Sequence, residues 1–202
     1  MVNDFPFVGV VLNGGRSERM GTDKADLALG EETLLQLTIS GLREASASSI
    51  YVVGKESDEF LGRDVIQIND IWPGEGPLGG ILTALESIKE GHIPVMILAC
   101  DFPNLDIAEI KILIEHAYSN PDSIVVPSVK GHKQWMHACW PTTAVGHIKE
   151  SFTRGERAPH RAIEGLKTIV LERSEMRAYL DVDTPEEFEK AKRIFKERNE
   201  KK

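Results

Sequence analysis

Short apolar runs and longer apolar periodicities alternate along most of the chain. The Val-rich run 7–12 stops at Asn13, Gly14 and Gly15, the pattern of a fully buried strand opening into a loop. Further short runs stand at 50–53, 65–68, 95–99, 124–126 and 168–171. Between them Leu34, Leu35, Leu37, Ile39 and Leu42 recur at helical spacing, and helices are predicted over roughly 77–89, 106–118, 142–152 and 185–198. Asp106 with Glu109, and Thr184 with Pro185 and Glu187, supply helix-start signals. Strands alternating with helices predict an α/β fold: a mainly parallel central sheet covered by helices on both faces. Such sheets bind ligands at the carboxyl ends of their strands, so the loops that follow the strands are where function is sought. No repeat, low-complexity tract or Pro/Gly-rich linker divides the sequence, which reads as a single domain over 1–202.

Composition narrows the function classes. A chain of 202 residues that is 41% hydrophobic and 28% charged carries enough apolar surface for a real core. Lys plus Arg is 24 against Asp plus Glu at 32, a formal charge of -8, so no general attraction to nucleic acid or anionic membrane is expected. An anionic ligand must be held by a local site. No apolar run approaches the roughly 20 residues that span a bilayer, and MVNDFPFVGVVLNGG lacks a basic leader and a cleavage site; a cytoplasmic location is expected. Cys100 and Cys139 are too few for a disulfide framework and read as reduced, partly buried thiols.

The segment LNGGRSERMGTDKADL, residues 12–27, carries the most chemistry per residue. Adjacent glycines at a strand end bare backbone N–H groups that a phosphate oxygen can approach closely. Arg16, Arg19 and Lys24 add cations to the same short loop of an acidic protein. An ordinary glycine turn with solvated basic side chains is the alternative, and the strand context together with the cations favours the phosphate site. Neither common nucleotide fingerprint fits: there is no GxxxxGKS or GxxxxGKT, and Gly14, Gly15 and Gly21 do not make GxGxxG.

GGRSERMGTDKADL closely resembles the GGxSxRMGxDK signature of the nucleotidyltransferases that act on the molybdenum cofactor. The resemblance continues in order with GPLGG (76–80), CDFP (100–103) and DVDTPEEF near the end, and so spans most of the chain. It implies a Rossmann-like nucleotidyltransferase fold and a magnesium-dependent enzyme with Mg²⁺ as cofactor. It also implies GTP and molybdopterin as substrates, and transient contact with molybdoenzymes or other cofactor-biosynthesis proteins. In that family LxGG accompanies the use of GTP whereas the cytidylyltransferases usually show LAAG, so Gly14 and Gly15 favour GTP. GMP would pass to the terminal phosphate of molybdopterin with release of pyrophosphate. The phosphates would be held by Gly14, Gly15 and Arg19, with Lys24 offsetting growing charge; Arg19, Lys24 and Asp101 would form the catalytic set. Leu12, Asn13, Gly14, Gly15, Lys24, Asp70 and Asp101 would contact GTP.

Asp101 follows the apolar run 95–99 and precedes Pro103, the address of a Mg²⁺ ligand at a strand end; an Asp serving a turn is the alternative. Asp70, beside Asn69 after the run 65–68, resembles the family's nucleotide-contact aspartate, and a turn-forming Asp is the alternative. Asp183 is a helix-entry residue, a second metal ligand or an acceptor contact. Gly80, Asp181 and Asp183 are the acceptor-side residues that the resemblance suggests; helix packing is the other reading of Gly79 and Gly80. Two positions depart from the family pattern. Asn13 stands where Ala is most frequent, its amide available to a base or to turn backbone. Asp181 and Asp183 stand where an NxNTPE arrangement is common. His137 and Trp140 receive no role. Three alternatives remain: a molybdopterin cytidylyltransferase, a nucleotidyltransferase for another phosphorylated small molecule, and a nucleotide-binding accessory protein without catalysis.

Overall fold

The structure, a computed structural model, describes residues 5–14, 24–55, 61–89, 91–173 and 177–199. In chain order the elements are β1 (Val8–Asn13), β2 (Ala28–Leu29), β3 (Glu32–Thr33), α1 (Leu34–Glu44), β4 (Ser49–Gly54), β5 (Val65–Asn69), α2 (Pro77–Ser87) and β6 (Pro94–Ala99). There follow α3 (Ile107–Ser119), β7 (Ile124–Val129), β8 (His132–Lys133), β9 (His137–Pro141), α4 (Val145–Thr153), α5 (Pro159–Ala162), β10 (Thr168–Arg173) and α6 (Pro185–Asn199). The main sheet runs β10–β7–β9–β6–β1–β4–β5, with β8 paired to β7. Neighbours β6, β1, β4 and β5 are mutually parallel, as are β7 and β10. The single-domain α/β reading stands, with helices on both faces.

One strand departs from the parallel scheme: β9 is antiparallel to both β6 and β7 and joins the two parallel groups. The helix expected at 142–152 opens with a 3-10 turn at Thr142–Ala144 before α4 begins. The helix expected to reach 89 stops at Ser87, because Ile88 turns to an extended conformation.

Strand alternation divides the core. Val8, Val10 and Leu12 of β1 meet Ile81 and Leu82 of α2 and Phe152 of α4 on one face. Val11, with Met96 and Leu98 of β6, meets Leu35, Ile39 and Leu42 of α1 and Ile110 and Leu113 of α3 on the other. Both faces of the central strands are thereby removed from water, which is why they read as continuous apolar runs. A third cluster docks α6 through Phe188 and Ala191 onto Leu29, Leu34 and Val182. Thr184 and Glu187 form a reciprocal cap for α6: the Glu187 amide donates to Thr184 Oγ1 at 3.2 Å, and the Thr184 amide donates to Glu187 Oε2 at 2.9 Å. Among the described residues no helix is long and apolar enough to cross a membrane.

Candidate active site

Register brings four strand ends into one row. Asn13 of β1 lies beside Gly54 of β4, which lies beside Asn69 of β5, while Leu12 lies beside Ala99 of β6. These residues and the start of α2, with Gly76, Pro77 and Gly80, line a cleft of about 880 Å³. That volume lies within the range of small-molecule sites.

Gly54 closes the base of this cleft. Its φ is +137°, and a Cβ built there would stand 1.9 Å from the Asn13 carbonyl oxygen. The resulting turn folds Lys55 back onto β1, so that the Lys55 amide donates to Asn13 O and Asn13 Nδ2 donates to the Lys55 carbonyl, both at 3.1 Å. The Asn13 side-chain N–H thus serves the turn backbone, one of the two uses open to it from sequence. A Cβ on Gly14, by contrast, would meet no atom of the described residues within 4 Å.

Across the cleft, Gly76 caps α2 with φ +77° and no side-chain hydrogen bond. Pro77 at the first position has no N–H and the Gly79 amide donates to the Gly76 carbonyl at 3.1 Å, so what α2 offers the cleft is the positive end of its backbone dipole, which favours an anion. Gly80 lines the cleft, and a Cβ there would come 3.3 Å from Leu12 Cδ2, so its smallness also seats α2 on β1.

Asp70 likewise combines two roles. Its Oδ1 accepts from the Trp72 amide at 2.9 Å and from Thr83 Oγ1 at 3.0 Å, while Thr83 Oγ1 accepts from the Ile71 amide at 3.2 Å. The carboxylate shapes the turn after β5 and also lines the cleft. Trp72 then rests on Phe152 at 5.1 Å between ring centroids, and Glu75 pairs with Arg157, bracing the loop that leads to α2.

Asp101 stands two residues beyond β6, half-buried. Its carbonyl accepts from the Val182 amide at 3.0 Å, so the segment carrying Asp181 and Asp183 runs beside it although some eighty positions away in sequence. Asp181 is exposed and Asp183 half-buried; the Asp183 amide donates to Glu187 Oε2 at 2.9 Å, which makes Asp183 part of the turn into α6. Gly15, Arg16, Arg19 and Gly21 lie outside the described residues. Lys24 begins a 3-10 turn at Lys24–Asp26, and only its backbone is described.

His137 and Trp140 belong to the interior, both fully buried. His137 sits edge-on between Phe102 at 5.5 Å and Tyr179 at 4.8 Å, and burial pushes its imidazole down to about 3. Cys100 and Cys139 are buried, and burial pushes the Cys139 thiol up. Sequence reasoning missed Gly54, Gly76 as a cap and Met136 in the cleft wall. A glycine directly after the run 50–53 was the available signal for the first; Met136 offered none.

Comparison with known proteins agrees with this architecture. The sequence profile of the MobA-like NTP transferase domain matches residues 9–170. A probable molybdenum cofactor guanylyltransferase of Opitutus terrae is 34% identical over 165 residues, covering 81% of each chain. One from Bacillus cereus is 28% identical over 196 residues, covering 93% of this chain and 96% of its own. Among solved structures, molybdopterin-guanine dinucleotide biosynthesis protein A from Archaeoglobus fulgidus superposes with a TM-score of 0.78 at 19% identity, over 95% of this chain and all of its own. The 2-C-methyl-D-erythritol 4-phosphate cytidylyltransferase of Thermus thermophilus gives 0.72 at 16% identity, over 92% of this chain and 96% of its own. At these identities the two structures speak for the fold.

Proposed function

The chain belongs to the MobA-like NTP transferase family, and from that premise we propose that it transfers GMP from GTP to the terminal phosphate of molybdopterin. The observation that carries this reading is the cleft itself. The ends of parallel strands β1, β4, β5 and β6 face the start of α2, with Gly14 and the Asp70 carboxylate on the cleft wall. The names of the relatives supply the acceptor and the base.

The acceptor phosphate is already ionised at neutral pH, so one of its oxygens attacks the α-phosphorus of GTP without a protein base. A new P–O bond forms, the bond from the α-phosphorus to the bridging oxygen of the β-phosphate breaks, and pyrophosphate leaves with the electron pair. The protein's task is position and charge stabilisation. In this reading the amide at Gly14 and the positive end of the α2 dipole orient phosphate oxygens, Arg19 and Lys24 balance the charge of the leaving group, and Asp70 holds the nucleotide.

Mg²⁺ suits the donors at hand. Asp101, just beyond the end of β6, is a hard oxygen donor, and Mg²⁺ is usually held through one or two carboxylates with water and phosphate, while Asp181 and Asp183, before α6, serve the acceptor side. When bound it would neutralise phosphate charge and fix phosphate orientation. Among the described residues no group of three or more His, Cys, Asp or Glu is gathered as a full cage. The proposal extends to a cytoplasmic setting and transient handover to molybdoenzymes or other cofactor-biosynthesis proteins.

The test is pyrophosphate release by the purified chain with GTP, CTP, ATP or UTP, with and without molybdopterin and with Mg²⁺ or EDTA. Release that needs GTP, molybdopterin and Mg²⁺ together supports the reading. Preference for CTP moves it to a cytidylyltransferase, and tight GTP binding without release sinks it in favour of a binding protein.

A further inference from the structure

Behind Asp101 lies a polar cluster that the proposed reaction does not use. Glu109, in the first turn of α3, accepts a hydrogen bond from Tyr179 Oη at 3.0 Å through Oε2. The same oxygen stands 2.6 Å from Arg173 Nε, with both side chains about four-fifths buried. Arg173 ends β10, and Tyr179 closes the 3-10 turn Arg177–Tyr179. A single carboxylate oxygen therefore fastens both sides of the connection between β10 and the segment 180–183. Burial first, and then the charge of Glu109, pushes the Tyr179 phenol above its ordinary value, which keeps it a donor. On its other face Tyr179 meets His137, which meets Phe102, the residue after Asp101. Three residues past Tyr179, the Val182 amide reaches the Asp101 carbonyl.

We infer that Glu109 is a positioning residue for the acceptor side of the site: by tying Arg173 to Tyr179 it sets the segment bearing Asp181 and Asp183 in register against Asp101. The inference rests on the proposed function, which makes those aspartates acceptor-side groups. Glu109 touches no part of the cleft formed by β1, β4, β5 and α2, so its effect falls on the acceptor and spares the nucleotide.

The experiment compares Glu109→Ala, Glu109→Gln and Tyr179→Phe with wild type, alongside Asp183→Asn. Three quantities are read: hydrogen exchange at the Val182 amide, the Kd for GTP, and the KM for molybdopterin. In Glu109→Ala the Val182 amide exchanges tenfold faster or more while the Val10 amide does not. Molybdopterin KM rises tenfold or more, and the GTP Kd stays within twofold. Tyr179→Phe, which keeps the ring and loses the hydroxyl, moves the same two quantities by threefold or more. Glu109→Gln, which keeps an acceptor for Tyr179 and loses the charge opposite Arg173, falls between wild type and Glu109→Ala. Should Glu109→Ala not fold, the other two variants decide. Unchanged Val182 exchange overturns the inference, and so does faster exchange with an unchanged molybdopterin KM, or a parallel loss of GTP affinity. If Asp183→Asn raises the molybdopterin KM and none of the cluster variants does, the inference alone falls. If wild type shows no molybdopterin-dependent turnover, the proposed function falls and takes the inference with it.

Discussion

A Cβ on Gly54 would lie 1.9 Å from the carbonyl oxygen of Asn13, far inside contact distance, and no side chain could relieve the clash because the opposing atom is backbone. Gly54→Ala must therefore displace the end of β1 or of β4, and it also forces a residue with a side chain to adopt φ +137°. The expected cost is about 1–3 kcal/mol or more of stability, with a tenfold or greater loss of GTP affinity as the Asn13–Lys55 bonds are disturbed. Gly14→Ala is the contrast. The lack of any described atom within 4 Å of a Cβ at Gly14 predicts a melting temperature within about 2 °C of wild type, yet GTP affinity falls because the methyl occupies the path of the phosphate. Thermal melts and titration calorimetry on the two variants separate the roles. Unaltered GTP affinity in Gly14→Ala would remove Gly14 from the phosphate site.

Asp70 and Thr83 are separable in the same way. Asp70→Asn keeps an oxygen to accept from the Trp72 amide and Thr83 Oγ1, and loses only the charge. It should melt close to wild type while GTP-dependent turnover drops tenfold or more. Thr83→Val leaves the Ile71 amide without its acceptor and Asp70 without a donor, so stability should fall by about 1–3 kcal/mol. A stable Thr83→Val protein with normal melting would show that the turn after β5 does not depend on this network.

The proposed phosphate chemistry makes its own demand on Asp101 and Lys24. Asp101→Ala should fold and bind molybdopterin-free GTP weakly, with Mg²⁺-dependent turnover lost. Lys24→Ala should lower turnover on the order of a hundredfold while stability changes by less than about 1 kcal/mol. Steady-state rates at several Mg²⁺ concentrations, set beside denaturant melts, provide the measurement. Wild-type rates in either variant discard the assignment.

What the sequence disclosed follows from which features are local. Continuous apolar runs at 8–12 and 95–99 announced buried strands, because both of their faces meet helices. The cap of α6 was legible in Thr184 and Glu187, since its bonds span three residues. The antiparallel direction of β9 was not. HACWP is buried on both faces and would read alike in either orientation. Strands β2 and β3, two residues each, fall below any periodicity. The meeting of Asp101 with the 181–183 segment depends on where α6 docks against Leu29 and Leu34, a tertiary fact with no short-range trace. Asn13 illustrates the limit within the site: its type allowed a base contact or a backbone bond, and the bond to the Lys55 carbonyl depends on the turn at Gly54, which no residue neighbouring Asn13 in sequence announces.

His137 gives the chain an acid sensitivity with a calculable form. The imidazole is fully buried between Phe102 and Tyr179, and burial lowers it from 6.5 to about 3. Of the neighbouring groups, Glu109 and Arg173 face the far side of Tyr179 and pair with one another, so they offer the imidazolium no compensating partner. Below pH 6.5 the unfolded chain takes up a proton at this position that the folded chain refuses. The contribution is fully present above pH 6.5 and declines as pH falls toward about 3, by roughly 1.4 kcal/mol for each pH unit between those limits. His137→Phe keeps an aromatic ring between the same neighbours and removes the titration. Urea unfolding of both proteins from pH 4.5 to 7.5 should therefore give stability curves that run parallel above pH 7. Below pH 6 they should converge or cross, the wild type losing close to one proton's worth of slope more than the variant. Equal slopes on the acid side would mean that His137 is protonated within the fold.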